Sequence, residues 1–334
     1  MPVPVTTKGL ATMMRFSPSF LRRATQFTLA ALLAATTAAM ADSSITDGYF
    51  KGPNPESVGQ RYGLFDKSTH FVTIQSGITA FQAMIGGSLQ AASGIGLPPL
   101  AIALLQDLPL KAVYVEYNYK QSLIVSPKIA SPKDLVGKTI AVTTGTTADK
   151  ALSDYLAKEK IDPHAVRIVN MTAPDMIGAF KRGSIDAAYI WDPARNALLA
   201  SGGREIDVTE PIAVIVASDS AIAHDRHGVQ QFVCDVAKSN AYIASHREDA
   251  LTAFTELLGG DRKEAELVTR VRHFYTPEEN AGYMASGAAK LAAELESSVR
   301  WANSKSTTMA KELPDPHKII DPSFATYVAQ HKCG

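Results

Sequence analysis

The sequence predicts an α/β protein made of two β/α units, the second inserted in the first, followed by a mainly helical C-terminal part. Three observations carry this. From Ile45 to Ala217, short β-branched runs alternate with stretches whose apolar residues recur at helical spacing. Two extended stretches, near Glu116 to Leu123 and Ile206 to Val214, lead into and out of the inserted unit, so the join is a hinge of two strands. Beyond Ala217 the chain turns almost wholly helical, rich in alanine with periodic Leu, Val and Met.

In order, Ile45 to Phe50 reads as a strand, and the loop Lys51-Gly52-Pro53-Asn54-Pro55 precedes a helix from Glu56 or Ser57 to about Tyr62. His70 to Ile74 alternates as a second strand. Ser76-Gly77 opens a helix to Met84, stopped by Gly86-Gly87. Leu89 to Ser93 is the next strand; Gly94-Ile95-Gly96-Leu97-Pro98-Pro99 is a loop, and Leu100 to Leu105 an apolar helix. Lys111 to Tyr117 is the fourth strand. The inserted unit holds strands at Gln121 to Ser126, Thr139 to Val142, Arg167 to Asn170 and Ala187 to Ile190. Its helices follow the Thr144-Gly145 turn and run over Pro174 to Arg182 and Pro193 to Ala200. Ile206 to Val208 and Pro211 to Ala217 return the chain. Helices are then expected at Gln230 to Ser245, Arg247 to Leu258, Arg262 to Val271, Pro277 to Asn303 and Ser323 to His331. The first unit is thus residues 42–120 with 212–334, the second 121–211. The β-loop-α repetition predicts parallel sheets, which bind ligands at the carboxyl ends of strands.

The N-terminus reads as a leader. Arg15, Arg22 and Arg23 precede the apolar run Phe27 to Ala35, and Ala39-Met40-Ala41 is an A-x-A-type cleavage site. Residues 1–41 are therefore expected to be a signal peptide, with the mature chain starting at Asp42. The run is far shorter than the roughly 20 residues that span a bilayer. Export permits a disulfide, and the chain has two cysteines. Cys234 sits among Phe232, Val233 and Val236 as a buried small hydrophobe, and the alternative is a bridge to Cys333.

The stretch richest in chemistry is Lys138-Thr139-Ile140-Ala141-Val142-Thr143-Thr144-Gly145-Thr146-Thr147-Ala148-Asp149-Lys150. A strand breaks into a helix here, and a helix N-terminus leaves N–H groups unpaired and attracts anions. Thr144, Thr146 and Thr147 add hydroxyl donors. No P-loop lysine is present, so neutral donors suit a small, singly charged oxyanion better than a di- or triphosphate. The other reading makes Thr146 a helix cap in an ordinary turn. Two further loops of this kind carry Ser76-Gly77 and Leu97-Pro98.

Other chemistry is sparse. Zero formal net charge argues against nucleic acid or an anionic membrane surface as the main partner. No G-x-S-x-G, H-E-x-x-H, C-x-x-C or G-x-G-x-x-G stands in suitable context. His224 and His227 could meet on a helix face but lack further ligands, so neither metal nor cofactor is expected. Binding is favoured over catalysis.

At this point the residues carry a resemblance. The run Ser131 to Val142, the hydroxyl-rich turn, Phe180 to Pro193 and Gly86 to Ala92 together resemble the periplasmic binding proteins of taurine, aliphatic-sulfonate and nitrate ABC importers. The resemblance spans about Ile45 to Tyr283. It implies a type II periplasmic-binding-protein fold of two α/β lobes with a hinge of two crossing strands, without catalysis. It also implies a periplasmic monomer that delivers a small anionic sulfonate to an inner-membrane permease and its ATPase.

Carried onto this chain, oxyanion contacts would fall at Ser76-Gly77, Thr144 and Thr146-Thr147, and aromatic walls at Tyr49 or Phe50 and at Trp191. Taurine-binding members carry an acid on the strand returning to the first lobe; Pro211 to Ala217 has none, which leaves Asp192 and Glu56 for an ammonium. Asp192 also fits a helix N-cap. Trp191 also fits ordinary cleft-edge packing. Nitrate, bicarbonate and a thiamine-pyrimidine precursor are the rival ligands. Pyrimidine-forming enzymes of the superfamily use a Cys-rich segment with histidines, which two distant cysteines do not match.

Overall fold

Short, largely apolar strand runs form two sheets in the computed structural model, which describes residues 44–285, 289–306, 310 and 312–333. The leader expected over 1–41 lies outside the described residues. In the first half, β1 (Ile45–Tyr49), α1 (Pro55–Tyr62), β2 (Thr69–Thr73), α2 (Gly77–Ile85), β3 (Ala91–Gly96), α3 (Leu97–Leu105) and β4 (Leu110–Asn118) follow one another. The chain then crosses to β5 (Gln121–Val125), β6 (Thr139–Val142), α4 (Thr147–Lys158), β7 (Arg167–Asn170), α5 (Ala173–Lys181), β8 (Ala187–Trp191), α6 (Ala194–Ala200) and β9 (Arg204–Thr209). It crosses back through β10 (Ile212–Ser218) into α7 (Asp219–His224), α8 (Arg226–Ser245), α9 (Arg247–Leu257), α10 (Arg262–Arg270), α11 (Pro277–Asn280), α12 (Ala289–Lys305) and α13 (Ser323–Gln330).

The first sheet has the order β2-β1-β3-β10-β4, the second β7-β6-β8-β5-β9. Both are mixed rather than parallel. β10 runs antiparallel to β3 and β4, and β5 antiparallel to β8 and β9, because each enters its sheet from the other lobe instead of through a crossover helix. The two crossings, β4 to β5 and β9 to β10, fall where the two linking strands were expected.

Packing follows from the period of two. In the second sheet Leu123, Val125, Ile140 and Tyr189 face α4, against Leu152, Tyr155 and Leu156. Their neighbours Ile124, Ala141, Ala188 and Ile190 face α5 and α6, against Met176, Phe180 and Leu198. Both faces are covered, so these strands are apolar on each side. The first sheet packs β3, β4 and β10 against α3, α8 and α12 in one large core.

Three expectations need correction. β3 continues through Gly94-Ile95-Gly96, which the two glycines had marked as loop, and α3 begins at Leu97 with prolines at its first positions. The helix expected over Pro277 to Asn303 is interrupted after Asn280 by a π-helical turn, Ala281–Ala285. There the buried Asn280 amide exchanges hydrogen bonds with the Val115 backbone, beside a register shift in the β4–β10 pairing. Such a tertiary pairing leaves no mark in helical periodicity. Finally, Cys234 and Cys333 form a disulfide, with Cα atoms 5.0 Å apart, that ties the segment after α13 to α8.

Candidate functional site

A cavity of about 660 Å³ lies between the lobes. Two helices from opposite lobes start in its wall. At α2, Ser76 is the N-cap: its Oγ accepts the Thr79 N–H at 3.2 Å, and Thr79 Oγ1 donates to the Ser76 carbonyl at 2.8 Å. Gly77 follows in the first turn, where the leading amides lack intrahelical acceptors. At α4, Thr146 is the N-cap residue and Thr147 the first helical residue, and both line the cavity.

The hydroxyl-rich turn is more occupied than its composition implies. Thr146 Oγ1 donates to the Thr143 carbonyl at 2.6 Å, and Thr147 Oγ1 donates to Gln121 Oε1 at 3.0 Å while accepting a hydrogen bond from the Tyr119 hydroxyl at 2.7 Å. Burial pushes that Tyr119 hydroxyl up to about 12, so it stays a donor. The Gly145 amide is held by Asp149 Oδ2 at 2.9 Å, so this helix start already carries a carboxylate of its own. Thr144 is exposed and outside the wall; its N–H donates to Asn170 Oδ1 at 3.0 Å.

The remaining predicted residues divide between wall and interior. Phe50, Trp191 and Asp192 line the cavity. Trp191 also packs against the core of the second lobe, so its two readings coexist. Tyr49 is outside the wall, its ring edge-on to Phe71 at 5.6 Å, because neighbouring strand residues point to opposite faces. Leu97 and Pro98 border a smaller neighbouring cavity of about 380 Å³ at the hinge. Asp192 is not the N-cap of α6, a position held by Pro193. It is 2% exposed, its Oδ1 lies 3.4 Å from Arg195 Nη1, and its Oδ2 has no hydrogen-bond partner. Burial raises the Asp192 carboxyl pKa, against the pull of Arg195 and Arg272.

Glu56 lies under the wall, fully buried with Asp47 and Glu116. Ser93 Oγ donates to Asp47 Oδ1 at 3.0 Å, and the Gly94 amide donates to Glu116 Oε2 at 2.6 Å. Both Glu56 oxygens lack partners. Burial raises all three carboxyls, and for Asp47 and Glu116 the neighbouring Glu56 adds to it. The upward shift favours the uncharged form of these acids, which brace β3 with less negative charge behind the cavity.

Sequence reasoning missed Tyr117, Tyr119, Asn196, Asp261, Glu264 and Arg272, all in the wall. Asn196 of α6 donates to Glu264 Oε1 of α10 at 2.7 Å, joining the second lobe to the helical part. Arg272 lies over Tyr117, 5.0 Å from the ring centroid. Nothing local distinguishes these residues, because their partners stand up to some 200 positions away in sequence. Among the described residues no group of three or more His, Cys, Asp or Glu side chains is arranged to hold a metal, and no helix is long and apolar enough to cross a membrane.

Residues 90–250 match the family model described as NMT1/THI5 like. The chain is 33% identical over 165 residues to the taurine-binding periplasmic protein of Escherichia coli (strain K12). That match covers 48% of this chain and 51% of the relative, about half its length. The fold is shared with the crystal structure of the periplasmic aliphatic sulphonate binding protein SsuA from Escherichia coli. There the TM-score is 0.66 at 20% identity, over 84% of this chain and 92% of the other. The same fold appears in the desulfurization enzyme DSZB, with TM-score 0.62 at 15% identity over 86% of this chain and 99% of that one. Residues 90–250 thus match the NMT1/THI5-like family model, and the described residues share the fold of the periplasmic aliphatic sulphonate binding protein.

Proposed function

We propose that this chain is the periplasmic solute-binding component of an ABC importer, and that it holds a small sulfonate, taurine or a related alkanesulfonate, between its lobes. In this reading residues 1–41 direct export, the lobes are 42–120 with 212–334 and 121–211, and the loaded form is handed to a permease and its ATPase. The observation that carries it is the meeting of two helix N-termini, at Ser76-Gly77 and Thr146-Thr147, from opposite lobes on one cavity. Amides at such termini favour a fixed anion. A sulfonate stays anionic at physiological pH and offers three acceptor oxygens. Each charge-assisted bond contributes about 1.5–3 kcal/mol, so four or five support micromolar or tighter affinity after ordering costs.

The kinship with a protein named for taurine binding supports the choice of ligand. The cavity is also much roomier than nitrate or bicarbonate needs, which leaves space for an organic tail beside Phe50 and Trp191. A thermal-shift screen of taurine, alkanesulfonates, isethionate, nitrate, bicarbonate and pyrimidines tests the proposal. A ligand at about 100 times its Kd stabilises by roughly 2.7 kcal/mol. Stabilisation by sulfonates is the expected outcome; stabilisation by pyrimidines alone, or by nitrate alone, overturns it.

A further inference from the structure

Among the cavity-lining residues the acids are Asp192, Asp261 and Glu264, while the cations are Lys51, which is exposed, and Arg272. A neutral-donor site needs no arginine, and this one stands in an unusual state. Arg272 Nη1 donates to the Pro53 carbonyl and its Cζ lies over the Tyr117 ring, so the guanidinium has two fixed contacts. Its Nε is buried without a hydrogen-bond partner, and Asp192, the cavity acid that feels its charge, makes its ion-pair contact with Arg195 instead. Arg195, close by, shows the contrast: it is paired with Glu205 at 2.5 Å and Asp192 at 3.4 Å, and its Nε donates to Ser122 Oγ at 2.8 Å.

A half-buried guanidinium that feels Asp192 only at a distance and closes no ion pair keeps charge to offer a ligand. Such a group can serve as a receptor only where the surroundings hold it in place. Here they do. The loop that accepts from Arg272 is itself locked, since Asn54 caps α1 through Ser57 N–H at 2.9 Å and donates to the Phe50 carbonyl at 2.5 Å. Tyr117, under the guanidinium, is 5% exposed and crowded by Gly94, where an added Cβ would stand 3.1 Å from its hydroxyl.

We propose that Arg272 is the residue that reads the ligand's negative charge, its planar fork taking two oxygens of an oxyanion head while the helix starts at Gly77 and Thr147 hold the rest. This rests on the reading of the cavity as a solute site, and it replaces an all-neutral anion site with a charged one. The fork geometry suits sulfonate or carboxylate oxygens, which a lysine meets only as a point charge. Specificity then turns on head-group charge more than on tail length.

The test compares ethanesulfonate with its uncharged counterpart ethanesulfonamide, by calorimetric titration of the wild type, R272Q and R272K, with ligand-free melting as the control for folding. The wild type is expected to prefer the anion by about 100-fold or more. R272Q should reduce that ratio below about 10-fold, whereas R272K should keep the preference and bind the anion about 10-fold more weakly. If R272Q keeps the wild-type ratio, or the wild type binds both compounds alike, the assignment of Arg272 falls although the sulfonate site stands. The wild-type and R272K measurements decide the matter even if R272Q does not fold. Absence of sulfonate binding by the wild type removes the cavity reading itself and this assignment with it.

Discussion

Gly96 and Thr147 bring the two lobes into contact beside the cavity, and their geometry sets a quantitative test. Gly96 has φ −78° and ψ 164°, a conformation open to alanine, so backbone strain plays no part. A Cβ there would stand 2.5 Å from Thr147 Cγ2 and 3.6 Å from the Tyr119 hydroxyl. Ordinary carbon contacts are about 3.5–4.0 Å, so relief requires a movement of about 1–1.5 Å. Thr147 cannot supply it cheaply. Its Oγ1 is fixed between Gln121 and Tyr119, and Gln121 Nε2 donates to its carbonyl at 3.2 Å. Turning the side chain forfeits two hydrogen bonds worth about 1 kcal/mol each. The lobes must otherwise part locally, at an overpacking cost of about 1–3 kcal/mol.

That cost falls on the arrangement in which the lobes meet. Gly96→Ala should therefore weaken sulfonate binding by about 5- to 150-fold at 1.4 kcal/mol per decade, and change ligand-free stability by less than about 1 kcal/mol. Thr147→Ser removes Cγ2 and keeps Oγ1, so the pair Gly96→Ala with Thr147→Ser should regain most of the affinity. Calorimetric titration with taurine or the best sulfonate of the screen measures the first effect, and ligand-free denaturation the second. Wild-type affinity in Gly96→Ala, or no recovery in the pair, refutes the reasoning.

Stability offers two further tests. Burial and the neighbouring Glu56 hold the Glu116 carboxyl well above the usual range, so the folded protein keeps a proton that the unfolded chain releases. With the folded pKa raised, this group's contribution is full below the unfolded value of about 4 and is lost as pH rises through the folded value. Glu116→Gln cannot titrate and still offers an oxygen to the Gly94 amide, so its unfolding free energy should fall less than the wild type's between about pH 5 and 8; parallel curves would contradict this. The Cys234–Cys333 bridge closes a separation of 99 residues, for which chain entropy suggests up to about 4.7 kcal/mol and common experience 2–4. Cys234→Ala with Cys333→Ala should lower the denaturation midpoint as far as a reductant lowers that of the wild type, and an unchanged midpoint would show that the bridge adds no stability.

Local periodicity is why much of the fold could be read from the chain. A β-branched run such as Thr139–Val142 ending at Thr144-Gly145 needs no distant partner to declare a strand, a turn and a helix start. Caps declare themselves equally well, as at Ser76 and in the box formed by Ser131 and Asp134. Glycine is the weak point. Gly94 and Gly96 read as loop because glycine has little strand propensity, yet β3 needs them where Phe50, Tyr117 and Thr147 leave no room for a side chain.

By itself the sequence determined the two β/α units, the strands that link them, the helical C-terminal part and the loops at Ser76, Thr146 and Trp191, because each rests on spacing within a dozen or so residues. Only the tertiary structure decided which of those residues reach the cavity. It turned Tyr49 and Thr144 away, sank Glu56 beneath the wall and brought Arg272 and Glu264 in from the helical part. The physical reason is that a strand's facing and a side chain's access to the cavity depend on neighbours far along the chain, and those neighbours meet only when the lobes pack.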